Sequence, residues 1–276
     1  MSQSDSLNAP PPRFWRDDGL PFIEAQAVQD GRQVCYGRHS HEIFSIGSIM
    51  AGHSHYFHEK KRQQISAGTV VLMNPGDVHA CSALDKQPWG YRMLYVDTAW
   101  LARLQHESGL DPNVDFHGFS IISTPSPALF AGLNQLYDVL IDPDADNLLK
   151  HSAALSFFLD LQHTLAVTPT GPRTSSQKLQ RAADYINDNF SRAIKLEDIC
   201  KAANLSESYL IRSFEHVYRM TPHAYLLNRR IQYAREQLKR GRLIADVALE
   251  TGFADQAHFQ RTFKKYLAIT PGQYRQ

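Results

Sequence analysis

Two stretches of this chain carry the same side chains in the same order. Asp198-Ile199 corresponds to Asp246-Val247 at a separation of 48, and Leu210, Arg212, Phe214, Thr221-Pro222 and Tyr225 correspond to Phe259, Arg261, Phe263, Thr270-Pro271 and Tyr274 at a separation of 49. The change of one residue falls in the turn between helices, where an insertion is tolerated. In the later copy Gly252 stands where a helix would end, since glycine accepts the left-handed conformation. Phe259, Phe263 and Tyr266 then form one buried helical stripe, with Ala257, Arg261 and Lys264 opposite. Thr270-Pro271 supplies a capping hydroxyl and the residue favoured at the first helical position. Either copy alone also fits a plain helix pair with a solvated basic face. Both together predict a duplicated helix-turn-helix, a motif whose second helix enters the major groove. The joining helix, from Thr221-Pro222 to Lys239-Arg240-Gly241, spans roughly 24 to 27 Å at about 1.5 Å per residue.

The charge of the chain divides with this pattern. Residues 1–176 hold 12 Lys+Arg against 18 Asp+Glu, a charge of −6, whereas residues 177–276 hold 17 against 10, a charge of +7. A basic end following the segment Thr168-Pro-Thr-Gly-Pro-Arg-Thr-Ser-Ser176 suits an anionic polymer, and the segment reads as a linker. The expected organisation is a disordered arm over 1–12, an N-terminal domain over 13–167, a linker over 168–176 and an all-helical domain over 177–276. Cys35, Cys81 and Cys200 are isolated, so neither a disulfide framework nor a zinc motif is implied. No signal-like or membrane-spanning apolar run occurs, and a cytoplasmic location is expected.

Between Val34 and Asp97, short β-branched and aromatic runs are broken by turn formers. The expected strands are Val34–Gly37, Ile43–Met50, His55–Glu59, Thr69–Met73, Val78–Leu84 and Tyr91–Val96, followed by helices over Ser126–Ile141 and Asn147–Val167. The second helix is apolar around much of its circumference, which calls for burial against its own domain or in a dimer. His39-x-His41 precedes Gly68-TVVLMN-Pro75-Gly76-Asp77-Val78-His79 by about thirty residues. Here the segment resembles a cupin, in particular the small-molecule-binding barrel at the front of many bacterial regulators. That resemblance implies a pocket near His39, His41 and His79, with Arg38, Glu42, His55, Tyr91, Arg92 and Tyr95 as further lining candidates on the expected strands. Cupin enzymes also use a glutamate some four residues after the second histidine, where this chain has Ser45, Ile46 and Gly47. Glu42 is adjacent to His41 and points to the other side of a strand. The usual metal set is therefore incomplete; no metal ligand is assigned and no cofactor is expected, while a metal held by His39, His41 and His79 stays open.

Residues 177–276 resemble the DNA-binding domain of the AraC/XylS family of bacterial transcription regulators. The resemblance is carried by Ala248, Gly252-Phe253, Phe259, Arg261, Phe263-Lys264, Thr270-Pro271 and Tyr274-Arg275. It departs where the family places glycine two residues before each Thr-Pro, because Arg219 and Ala268 stand there. The fold implied is α+β in two domains: a cupin-like β-barrel with helices on its C-terminal side, then two helix-turn-helix motifs joined by a long helix. Carried over by position, base reading falls on Ser208, Ile211 and Arg212 in the first recognition helix and on Gln256, Ala257, His258 and Arg261 in the second. Arginine pairs with guanine and glutamine with adenine, or arginine contacts phosphate; Lys264, Lys265, Arg229 and Arg230 read as phosphate or solvent residues. The expectation is a homodimeric, effector-controlled regulator, not an enzyme, acting on promoter DNA and RNA polymerase as an activator or repressor. Its effector is a sugar, amino acid or carboxylate. A cupin metalloenzyme with an accessory DNA-binding tail, or an architectural DNA-binding protein without an effector, are the alternatives.

Overall fold

The computed structural model describes residues 12–32, 36–84, 87–109, 114–165, 167–168 and 176–275. Residues 1–11 of the expected arm, the start of the strand expected at Val34 and most of the expected linker lie outside them. The N-terminal part runs β1 (Arg13–Trp15), β2 (Ile23–Val28), β3 (Phe44–Ala51), β4 (His53–His58), β5 (Lys61–Ser66), β6 (Val70–Met73), β7 (His79–Ala83), β8 (Gly90–Val96), α1 (Thr98–Glu107), β9 (Gly118–Phe119), β10 (Ser123–Thr124), α2 (Pro127–Ile141), α3 (Asn147–Thr164) and β11 (Val167–Thr168). One antiparallel sheet has the order β1-β2-β8-β3-β6-β10, and a second has the order β5-β4-β7. The expected cupin-like barrel is thus built as two facing sheets that do not close into one ring among the described residues. Thr168, placed by sequence in the linker, instead pairs with Gly118 across β11 and β9.

The period of two along each strand explains the layering. On β8, Leu94 and Val96 face a core shared with Trp100, Leu133, Leu140 and Phe158 of the three helices, whereas Tyr91, Met93 and Tyr95 face the opposite sheet. The same alternation sets Phe44 and Ile46 against Ile49 on β3, and Val70 and Leu72 against Val71 and Met73 on β6. The apolar helix α3 packs into the core of its own domain through Ala154, Phe157, Phe158 and Leu161, while Leu148 and Leu149 remain exposed.

The C-terminal part is helical throughout: α4 (Gln177–Asn189), α5 (Leu196–Ala203), α6 (Glu207–Tyr218), α7 (Pro222–Lys239), α8 (Ile244–Glu250), α9 (Gln256–Leu267) and α10 (Pro271–Arg275). Each copy of the repeat builds its own core. Leu210 and Phe214 pack with Ile199 and Ala203 in the first, and Phe259 and Phe263 pack with Val247 and Tyr274 in the second. Helix α7 serves both, giving Leu226 to the first core and Ile231, Ala234 and Leu238 to the second. Its start is capped by Thr221, whose hydroxyl accepts from Ala224 N at 3.2 Å. Ser206, by contrast, sits at the start of α6 without a side-chain capping bond. Arg219 and Ala268, which replace the glycines of the resembled pattern, end α6 and α9 in the left-handed region at φ 56° and 62°. The geometry of those turns is therefore kept by residues that adopt it at a cost of about 1 to 2 kcal/mol each.

Candidate DNA-reading face and ligand sites

Helices α6 and α9 each bury one stripe and present the other to solvent. Ser208, Ile211 and Arg212 are exposed on α6, and Gln256, Ala257, Arg261 and Lys264 are exposed on α9. His258 is half-buried, its ring edge-on to Phe253 at 5.2 Å. Arg212 donates from Nε to Ser208 O at 3.2 Å, which lays its guanidinium along the helix surface. Asp255 opens α9 by accepting from His258 N at 2.6 Å, so Gln256, Ala257 and His258 stand in the first turn. The seven candidate readers and Lys264 thus lie on two strips joined by α7, all exposed except the half-buried His258. Arg229 and Arg230 do not belong with them. Arg230 is buried and donates to Phe190 O at 2.7 Å and Arg192 O at 2.9 Å, tying α7 to the end of α4. Arg229 turns to the N-terminal domain, where Nη1 meets Glu42 Oε1 at 2.5 Å.

Between the two sheets, His39, His41 and His79 meet. Their ring centroids lie 4.4 to 4.9 Å apart. His39 and His79 exchange two backbone hydrogen bonds, His39 N to His79 O at 3.1 Å and His79 N to His39 O at 2.9 Å. His41 O accepts from Gly76 N at 2.7 Å, and Gly76 takes φ +80°, which is the conformational use of the Pro-Gly turn. Burial lowers all three histidines: His39 falls to about 4, and His41 and His79 lie well below the usual value, pushed further by neighbouring imidazoles. The cluster is neutral at physiological pH.

The cavity beside this cluster measures about 30 Å³, because Tyr36, Trp89, Tyr91, Met93 and Tyr95 fill the space between the sheets. That volume holds one or two water molecules or an ion. It is far below the roughly 300 Å³ at which organic ligand pockets begin. Of the lining candidates, His39, His41, His79, Tyr91 and Tyr95 do line this cavity. Four others lie elsewhere. Arg38 is exposed. The Glu42 side chain is 77% exposed and paired with Arg229. His55 lies on β4 outside the cavity wall. Arg92 faces outward to α2, where it meets Asp138 at 2.9 Å and covers the Tyr137 ring at 4.4 Å. The odd-even pattern of β8 puts Arg92 opposite Tyr91 and Tyr95, a register that sequence left open.

Two further wall residues, Tyr266 and Leu267, come from α9. The Tyr266 ring stands 6.1 Å from His39, so α9 closes the cavity with its last turn. Around that contact the domains are braced by a buried polar cluster. Glu24, 8% exposed, meets Arg16 at 3.1 Å and forms an ion pair with Lys239 of α7. Burial acts to raise the Glu24 pKa, but Lys239, Arg235 and Arg16 outweigh it and hold the carboxyl below its usual value. Arg16 Nη1 donates to Tyr274 O at 2.7 Å, and its guanidinium lies 4.2 Å from the Tyr274 ring centre. Phe14 stands between Tyr274 at 5.2 Å and Tyr95 at 6.2 Å. At the far side Arg219 meets Glu59 at 3.2 Å, and Gln232 Nε2 donates to Ser40 O at 3.1 Å.

Beside the brace runs a cleft of about 560 Å³ between the N-terminal domain and α7. Glu24, Glu42, Tyr95, Asp97 and Thr98 line one wall, and Arg229, Gln232, Arg235, Glu236 and Lys239 line the other. Arg235 is 2% exposed; its Nε donates to Tyr274 Oη at 3.2 Å and its Nη1 to Gln232 Oε1 at 3.1 Å. Its Nη2, like Arg229 Nε, is buried with no partner among the described residues. Glu24 is matched by Lys239 and Arg16, Glu42 by Arg229, and Asp97 caps α1 by accepting from Trp100 N at 2.8 Å. The donors left over on this wall are Arg235 Nη2 and Arg229 Nε. Sequence reading missed this cleft because its walls come from residues about 200 positions apart.

Comparison with known proteins agrees with both halves. The family model described as an AraC-like ligand binding domain matches residues 23–159, and one described as a helix-turn-helix domain matches residues 199–276. An uncharacterized HTH-type transcriptional regulator, YbfI, from Bacillus subtilis (strain 168) is 26% identical over 241 residues, 86% of each chain. The raffinose operon transcriptional regulatory protein RafR of Pediococcus pentosaceus is 25% identical over 215 residues, 76% of each chain. Among solved structures, unsaturated fatty acid bound wild-type ToxT from Vibrio cholerae superposes with a TM-score of 0.54 at 14% identity, covering 92% of this chain and 94% of that one. This last likeness speaks to the fold.

Proposed function

The chain belongs to the AraC family of helix-turn-helix transcription regulators, and from that membership we propose a promoter-binding protein whose DNA-reading domain responds to a ligand held against it. The observation that carries the reading is the shared wall. Helix α7, which joins the two recognition helices, forms one side of the 560 Å³ cleft, and the last turn of α9 closes the small cavity. A ligand in the cleft touches the element that spaces the two reading helices. Because the space between the sheets holds little more than an ion, the organic effector is assigned to the cleft rather than to the sandwich interior. A carboxylate of a small metabolite or a longer acid suits the unpartnered Arg235 Nη2. Base reading is assigned to Arg212, Gln256 and Arg261, with phosphate contact from Lys264. A homodimer through the exposed Leu148 and Leu149 end of α3, a cytoplasmic site of action and contact with RNA polymerase complete the reading. No catalytic turnover is part of it.

The test is a thermal-shift screen of the purified chain against carboxylates, amino acids and sugars, followed by promoter-binding titrations with each hit. The expected result is a carboxylate that stabilises the wild type and changes its DNA affinity, with Arg235→Gln losing the response. A hit that changes DNA affinity equally in Arg235→Gln would move the effector out of the cleft.

A further inference from the structure

The three-histidine cluster has the form of a ligand set rather than of an ordinary core. Each Nδ1 is committed outward: His39 donates to Gly37 O at 2.7 Å, His79 donates to Asp77 O at 2.9 Å, and His41 is bonded to Ser45 Oγ at 3.1 Å. The carbonyl partners require Nδ1 of His39 and His79 to carry the proton, which leaves a lone pair on each Nε2. No hydrogen bond to any of the three Nε2 atoms is found among the described residues, although all three side chains are buried. One ligand atom from each ring lies within 4.8 Å of the others. Outer-shell acceptors that fix the tautomer of converging imidazoles are the arrangement by which histidines are held ready for a metal. A cavity of about 30 Å³ adjoins them, and it has room for an ion and a water but not for an organic molecule.

We propose that His39, His41 and His79 bind one divalent transition-metal ion of the kind that prefers imidazole, such as zinc, cobalt, nickel or iron(II). The ligand class follows from the donors: three neutral nitrogens with no carboxylate in the cluster exclude the hard oxygen-seeking cations. At the position where cupin enzymes place a glutamate, Ser45 supports His41 instead. The fourth position faces the small cavity, as in sites that keep an open coordination place. An ion bound at about 2.0 to 2.1 Å in tetrahedral geometry sets its nitrogens roughly 3.4 Å apart, so binding draws the rings inward from their present separation. His39 is the ring that stands against Tyr266, and the contraction is therefore felt at the end of α9. The three histidines do not line the effector cleft, although Tyr95 forms part of the wall of both that cleft and the small cavity.

The experiment uses the full-length, tag-free chain, freed of metal with a chelator and titrated with cobalt(II) while its visible ligand-field absorption is followed; zinc is then added in competition. One cobalt per chain with imidazole-type bands, displaced by zinc and accompanied by a rise in melting temperature of the wild type, is the expected result. His41→Ala and His79→Ala should weaken binding by more than the roughly 10- to 100-fold that loss of an outer-shell partner produces. Ser45→Ala should fall within that range, and exposed His53→Ala should leave binding unchanged. Circular dichroism confirms that each variant is folded, and the wild-type titration stands without them. Absence of the bands and of any metal-induced stabilisation in the wild type overturns the proposal, as does unchanged cobalt binding in folded His41→Ala, which would place the ion on other histidines. Either failure leaves the carboxylate response of Arg235 untouched, so the two readings are separable.

Discussion

Glu24→Gln removes the charge at the centre of the brace while keeping the size of the side chain. In the wild type the carboxylate is 8% exposed and faces Arg16 at 3.1 Å, Lys239 and the buried Arg235. Removing one partner of a buried ion pair costs about 3 to 5 kcal/mol. The Lys239 side chain is 23% exposed and can turn its ammonium to water, and glutamine keeps one acceptor for Arg16. The expected loss of docking free energy is therefore about 2 to 3 kcal/mol, or roughly 30- to 150-fold in the docking equilibrium at about 1.4 kcal/mol per tenfold. Amide hydrogen exchange reads it directly: protection of β2 and of the C-terminal half of α7 should fall while the cores of the two domains stay protected. The pH dependence has a definite sign. The carboxyl is held below its usual value of 4.5 when docked, so its contribution is present above that pH and is lost as pH falls through the lower docked value. Wild-type protection should accordingly decline below about pH 4.5, and this acid step should be absent in Glu24→Gln. Equal protection in both proteins across that range would refute a brace centred on Glu24.

Ala268→Gly relieves a left-handed residue at φ 62°; relief of about 1 to 2 kcal/mol less a half-buried methyl worth a few tenths should stabilise the chain by about 1 kcal/mol in urea denaturation. Arg219→Gly relieves the same strain at φ 56° but deletes the Arg219–Glu59 pair, so its net change should be smaller. Gly252→Ala should be severely destabilising, since the residue takes φ +72° and its added Cβ would stand 2.5 Å from Ser191 O; loss of the cooperative melting transition would show it. Lys264→Ala should weaken binding to all duplexes alike and flatten the salt dependence by about one unit.

The repeat was legible because it is written twice, and each copy states its own helical stripe, caps and turn. The left-handed ends at Arg219 and Ala268 show that the turn persists where its usual residue does not: the paired cores around Phe214 and Phe263 dictate the geometry and the backbone follows. The sandwich was legible in part. Strand β5, Lys-Arg-Gln-Gln-Ile-Ser, was hidden because an edge strand carries charged side chains in place of apolar ones. Strand β2 was hidden because Glu24 and Gln26 occupy its inward face, where they answer Lys239 and Tyr95 instead of a hydrophobic core. The histidine cluster could be named from spacing, but the tyrosines and Trp89 that fill its surroundings could not, since register decides which side of β8 faces in. The contact of Tyr266 with His39 spans more than two hundred residues. Periodicity shows that Tyr266 is buried; it does not show by what.

Two recognition helices joined by α7 are proposed to read DNA, with the later copy carrying more of the sequence information. Selection of bound duplexes from a random-sequence pool by the full-length chain tests this most directly. The expected result is an enriched motif of two segments about one helical turn, roughly 10 base pairs, apart. In Arg261→Ala the preference should relax by about 1 to 3 kcal/mol at a position in one segment only, and in Arg212→Ala by less, at a position in the other. A pool that yields no motif, or a motif that Arg261→Ala leaves unchanged, would contradict it.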